Sequence, residues 1–313
     1  MYQTTIKQQV SCNGIGLHSG KTINMTFCPA IENSGIVFEV KQNEIPQRLS
    51  LKPNAVIATE LATTLGQVDT FGIPQNSVSV STIEHVLAAV RALNIDNILI
   101  KVDGFEVPVL DGSAAPYLIL FQEAGITQQN AIRRVLRIKK ELSLQENGKS
   151  IIARPHKGFF VDYTIDFPHP LIKTQRLKIE ITPESFKKIA FARTFGFFEQ
   201  VEAMRKRGLA LGGSLENAIV LNQNSVLNPE GLRSPDEFVR HKVLDFVGDM
   251  AMLGTPLEGS FTVHCSGHAL NNSFLRMLVE HEDEYLLNPN APKTTHIPKN
   301  SLNSATFRPS FSL

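Results

Sequence analysis

In RHKVLDFVGD, His241 and Asp245 stand four residues apart, and Asp249 follows after four more, with Gly248 just before it. On a helix, side chains at that spacing share one face, so an imidazole nitrogen and a carboxylate oxygen would point the same way. Such a pair suits a zinc ion, and the glycine would let another backbone or a ligand come close. An H-x-x-x-D pair alone is more often a solvated helix face, so metal chemistry needs a third ligand and an acid or base from elsewhere. Glu84-His85 in STIEHVLAAVRAL offers a carboxylate beside a second imidazole, and His268 in SGHALNN offers a third. Thr194 in ARTFG adds a hydroxyl and Phe195 a flat apolar ring.

The elements that carry these residues have readable ends. Ser234 is placed as an N-cap, with Pro235 at the first helical position, Glu237 completing a capping box and Gly254 as the stop. At about 100° per residue, Val239, Val243, Phe246, Val247, Met250 and Leu253 form an apolar face, and His241, Asp245, Gly248 and Asp249 gather on the other side. A second helix is expected from Ser81 to Leu93, where Ser81 and Glu84 have capping-box spacing and His85, Ala88, Ala89 and Ala92 make a small-residue face around one imidazole. His268 is expected in a turn between a strand over Ser260 to Cys265 and a helix from near Asn272. Gly14 to Gly20 lacks the G-x-G-x-x-G spacing and leads into an alternating strand, so Leu17 and His18 fall in a hairpin connection rather than a phosphate loop.

The whole chain frames these elements. Its 313 residues are enough for two domains, and 42% hydrophobic with 19% charged residues is an ordinary globular composition. A formal net charge of +1 leaves no electrostatic footprint for nucleic acid. No apolar run reaches the roughly 20 residues of a membrane span, and the polar start MYQTTIKQQV is no signal peptide, so a cytoplasmic protein is expected. Three scattered cysteines suggest reduced thiols. Strands and helices alternate without a regular βαβ rhythm, which predicts an α+β fold. The expected division is a first domain over 1–127, a polar linker at 128–133, a second domain over 134–287 and a mobile tail over 288–313.

Taken together, TIEH at Thr82 to His85, LDGSAAP from Leu110, ARTFGF from Ala192, GLALGGS from Gly208, RHKVLDFVGD from Arg240 and SGHALNN from Ser266 resemble the UDP-3-O-acyl-N-acetylglucosamine deacetylase family of lipid A synthesis. The resemblance implies two α+β domains of like topology, each a mainly antiparallel sheet packed on helices with a small insert, and an active site between them. It also implies zinc held by His85, His241 and Asp245, with Fe2+ as an alternative in the cell. Glu84 would be the general base, His268 the acid held by Asp249, and Thr194 a partner of the oxyanion. Lys242, Phe195, Leu17 and Phe167 would contact the substrate, and the segment from Phe197 to Leu211 would line a passage for its acyl chain. A monomer is expected, and the C-terminal tail resembles that of relatives in which it is read by a membrane-anchored ATP-dependent protease. Two positions depart from its pattern: ATTL at Ala62 to Leu65 stands where family members often have cysteine close to the metal, and Cys265 where lysine is frequent. Neither is assigned any of the chemistry. An alternative is a non-catalytic acyl-sugar-nucleotide binding protein with a structural zinc. It is disfavoured because a closed structural site needs neither Glu84 nor His268.

Overall fold

A computed structural model describes residues 1–42, 45–68 and 74–289. In Thr22–Pro29, TINMTFCP, burial alternates so that Ile23, Met25 and Phe27 turn inward, the period-two pattern of a half-buried strand. This strand belongs to a five-stranded sheet ordered Val10–Ile15, Thr22–Pro29, Ile98–Val102, Ile36–Gln42 and Ile45–Ser50. Its central strand, Ile98–Val102, runs antiparallel to one neighbour and parallel to the other. The second half repeats the scheme with Leu142–Glu146, Lys149–Arg154, Leu257–His264, Phe159–Phe167 and Lys173–Glu180. There Leu257–His264 is the central strand, again antiparallel on one side and parallel on the other.

The helices are α1 (Glu84–Ala92), α2 (Ala115–Ala124), α3 (Pro183–Phe186), α4 (Phe198–Lys206), α5 (Glu237–Met250), α6 (His268–Glu280) and α7 (Glu282–Tyr285). In each half one helix leads into the central strand and another follows it, α1 and α2 in the first and α5 and α6 in the second. The fold is α+β, with mostly antiparallel sheets and two halves of like topology. Each half carries an insert ahead of its leading helix. The first is a small sheet of Val56–Ala58, Thr64–Val68 and Pro74–Val80, and the second contains Phe195–Phe197 paired with Ile219–Leu221 around α4. Phe27 meets Phe121 edge-on at 4.9 Å in one core, and Phe246 meets Phe261 at 5.7 Å in the other.

Where the halves meet, α1 lies on α5, and every residue of α1 except Arg91 is buried. Gly248 makes this approach possible, because a Cβ there would stand 2.0 Å from the Glu84 carbonyl oxygen. The close approach expected of that glycine is thus made by the start of α1.

Several local expectations are corrected. α5 begins at Glu237 with no side-chain cap, because the Ser234 hydroxyl donates to Asp236 and the Glu237 carboxylate is held by Arg193. α1 begins at Glu84, after Thr82 at a φ of 60°, and the Glu84 carboxylate accepts from Thr63 instead of capping. Gly254 does end the helical path, in left-handed conformation after a 3-10 turn over Ala251–Leu253. The polar stretch expected as a linker lies largely in a strand, Ile126–Ile132, paired with Tyr2–Ile6. A two-stranded ribbon with one face in water tolerates such a sequence, since its ladder satisfies the backbone. His268 is the first residue of α6, not part of a turn. Of the expected mobile tail, residues 290–313 lie outside those described.

Candidate active site

His85 comes from the first turn of α1, and His241 and Asp245 from the middle of α5. All three are buried, and one ligand atom from each lies within 4.8 Å of the others. The imidazoles stand perpendicular with centroids 5.0 Å apart. Asp245 Oδ1 lies 3.5 Å from His85 Nε2 and 3.3 Å from His241 Nε2. That oxygen is buried and, among the described residues, has no hydrogen-bond partner. Leaving it so costs about 1–3 kcal/mol or more, which a cation at this point would offset. Two imidazoles and a carboxylate form a fitting donor set for zinc or a similar divalent ion. His241 Nδ1 donates to the Ala192 carbonyl at 3.1 Å, which leaves Nε2 as a lone pair facing Asp245. Burial, opposed by the Asp245 charge, pushes the His241 imidazole down to about 3, so it is neutral as a ligand must be. For Asp245, burial works against ionisation but His241 and Lys242 outweigh it, and its carboxyl sits well below the ordinary range. Lys242 Nζ donates to Asp245 Oδ2 at 2.8 Å.

Two titratable groups flank this triad. Glu84 is 3% exposed, and burial raises its carboxyl pKa even against the pull of His268 and His85. His268, at the start of α6, donates from Nδ1 to Asp249 Oδ2 at 2.8 Å. Burial opposes its charge, but Asp249 prevails with help from Glu84 and Asp245 and pushes its pKa up to about 9. A buried carboxyl whose pKa is raised, beside an imidazole whose pKa is also raised, is the pairing that proton transfer in both directions requires.

The segment from Ala192 to Phe195 is fixed from two sides. Arg193, 1% exposed, donates from its backbone N and Nε to Glu237 Oε1, both at 3.0 Å. Thr194 N donates to the Gly112 carbonyl at 2.8 Å, and a Cβ on Gly112 would collide with Asn217, so the LDG turn has to be this compact. The Phe195 ring lies 5.6 Å from Phe167 and 6.2 Å from His241, with Lys242 Nζ 5.7 Å above it. Beside them opens a mostly apolar cavity of about 480 Å³, which Leu17, Phe167, Thr194, Phe195 and Lys242 all line. Phe197, Val201, Met204 and Ala210 continue its wall. Glu84, His85, His241, Asp245, Asp249 and His268 thus gather at or beside the triad, and Leu17, Phe167, Thr194, Phe195 and Lys242 lie along this cavity.

Two residues of the region were given no role. Thr63, in the ATTL segment, donates its backbone N–H to Glu84 Oε2 at 3.1 Å and its hydroxyl to Asp249 Oδ1 at 2.6 Å. Asn271 Nδ2 donates to Asp249 Oδ2 at 2.7 Å. Asn271 could have been found, since it follows His268 by three on one helix face; the segment of Thr63 was marked by the resemblance, but nothing local points to its hydroxyl.

The family model of UDP-3-O-acyl N-acetylglycosamine deacetylases (LpxC) matches residues 3–280. Proteins named UDP-3-O-acyl-N-acetylglucosamine deacetylase are similar over most of their length. The one from Nitratidesulfovibrio vulgaris is 58% identical over 286 residues, covering 91% of this chain and 90% of that protein. That of Oleidesulfovibrio alaskensis is 55% identical over 91% of this chain and 92% of its own. For Lawsonia intracellularis the identity is 48%, covering 96% of each.

Proposed function

This chain belongs to the UDP-3-O-acyl-N-acetylglucosamine deacetylase family, and we infer that it hydrolyses the N-acetyl group of UDP-3-O-((R)-3-hydroxyacyl)-N-acetylglucosamine with the help of zinc. The products are the UDP-3-O-acyl-glucosamine amine and acetate, in the committed step of lipid A synthesis. The observation that carries this reading is the buried, unpartnered Asp245 Oδ1 facing two imidazoles, with the perturbed pair Glu84 and His268 beside it.

His85, His241 and Asp245 would hold the ion. Bound there, zinc would supply Lewis acidity toward the acetamide carbonyl and acidify water to near neutral pH. The chain's own groups do the rest. Glu84, ionised, takes a proton from the attacking water as its oxygen adds to the carbonyl carbon. The Thr194 hydroxyl donates to the oxygen that becomes negative, and the His268 imidazolium adds its charge. His268 then passes its proton to the nitrogen as the carbon–nitrogen bond breaks, so the amine leaves neutral. Asp249 keeps His268 protonated and turned toward the site. Lys242 and Phe195 would bind the sugar end, Phe167 the nucleotide side, and the cavity from Leu17 to Met204 the acyl chain. The cavity's apolar lining supports that last assignment.

The test is acetate release from the acylated UDP-N-acetylglucosamine by purified protein as isolated, after chelation, and after zinc return. Loss on chelation with recovery on zinc is the expected result. Tight substrate binding by metal-loaded protein without any acetate would overturn the enzyme reading in favour of a binding protein.

A further inference from the structure

We propose that Thr63 is a positioning residue that holds the base of the first half in register with the acid assembly of the second, an inference that rests on the deacetylase reading. Thr63 is 2% exposed and is the residue before the strand Thr64–Val68. Its backbone N–H meets Glu84 Oε2, and its hydroxyl meets Asp249 Oδ1. Asp249 spends its other oxygen on His268 and Asn271. One threonine therefore links the proton acceptor on α1 to the carboxylate on α5 that orients the proton donor on α6. The link is strong for its size, because a hydroxyl donating to a buried carboxylate at 2.6 Å is a charge-assisted bond.

The approach to Thr63 is built for this placement. Leu61 has a φ of 62°, a left-handed conformation that a residue with a Cβ adopts at a cost of order 1 kcal/mol. Its side chain is half exposed and lines the cavity, while Ala62 and Thr63 are buried. The strained turn sends the chain inward within two residues, so the backbone donor reaches Glu84 while the hydroxyl crosses to the other half. If the hydroxyl were absent, Asp249 Oδ1 would lose its donor and the carboxylate could rotate about its one remaining anchored oxygen. The imidazole of His268 would then wander from the reacting nitrogen, although substrate contacts along the cavity and the three metal-ligating side chains would be untouched.

Thr63→Val separates this role from simple space filling, because valine keeps the shape and the backbone N–H and removes only the hydroxyl. With the full-length zinc-loaded protein, kcat should fall about 10–100-fold, the range for losing an outer partner of such a site. KM, bound zinc and the thermal midpoint should stay near wild type. Thr63→Ser should restore most of kcat. Adding Thr63→Val to Asp249→Asn should cost less than about twofold more, since both act through one carboxylate. A Thr63→Val protein with kcat within about twofold of wild type, or one whose loss lies in KM or in folding and is not rescued by serine, would overturn the proposal. Wild type and Glu84→Gln are run alongside. Absence of acetate from wild type would sink the deacetylase reading itself, whereas active wild type, inactive Glu84→Gln and unimpaired Thr63→Val would remove only the role of Thr63.

Discussion

The two halves share a strand order and a helix order, yet they serve the site in different ways. In the first half, α1 is nine residues long and brings Glu84 and His85 at its very start. In the second, the equivalent α5 has 14 residues and brings His241, Asp245 and Asp249 at steps of four along one face. The cause lies at Gly248, where the start of α1 rests on the last turn of α5. A helix start packed on the end of a longer helix places one half's first turn beside the groups that the other presents along its face. Repeating a fold thus does not repeat its chemistry: one half offers a carboxylate and an imidazole from a helix start, and the other a ladder of groups four residues apart. Their anchoring differs too. α5 is tied down at its start by the buried Arg193–Glu237 pair, whereas the start of α1 is held through Thr63 and by Glu106, which accepts from Thr82 and from the backbone N–H groups of His18 and Ser19.

The sharpest way to test the division of labour is Glu84→Gln, which removes the base proposed for the first half and keeps His85, its proposed ligand. Acetate release should fall about 10²–10⁴-fold, the usual contribution of a positioned proton acceptor. Bound zinc, measured by elemental analysis, should remain at wild-type level. Arg193→Met attacks only the second half's anchor and leaves Glu237 buried without its cation. Breaking such a pair costs about 3–5 kcal/mol, to be read from the urea midpoint.

Gly248→Ala breaks the contact between the halves. A methyl group 2.0 Å from a backbone carbonyl has to displace α1, and overpacking of this kind costs about 1–3 kcal/mol. Zinc affinity should fall with it, because His85 moves while His241 and Asp245 stay. Unchanged zinc affinity would mean that the halves are held in register elsewhere. The smallest effect is on pH dependence. His268 carries a raised pKa, so activity that needs its proton persists through neutral pH and declines as pH rises through about 9. Asp249→Asn removes the charge that raises it, and the alkaline limb of the kcat profile should move to lower pH. A limb that stays in place would assign it to another group.

Much of this was open to inspection along the chain. The period of 3.6 residues gathers His241, Asp245, Gly248 and Asp249 whatever surrounds them, and alternation alone marks Thr22–Pro29 as a strand. The α+β class followed from the same local patterns. The capping boxes did not form, since Ser81 and Ser234 have the right spacing but the carboxylates of Glu84 and Glu237 found stronger partners in Thr63 and Arg193. Spacing offers a side chain its local options; a partner distant in sequence can outbid them.

What local pattern cannot encode is which face of one element meets which face of another. The orphaned Asp245 oxygen, the choice of His241 nitrogen by the Ala192 carbonyl, and the link from Thr63 to Asp249 across 186 positions arise only once the halves are packed. The same holds for the pKa values, because burial lowers the imidazole of His241 and a carboxylate raises that of His268 although both are histidines. The residue types and their periodicity set the donors the chain has to offer, and tertiary packing decides the dielectric and the neighbours that turn each into a ligand, a base or an acid.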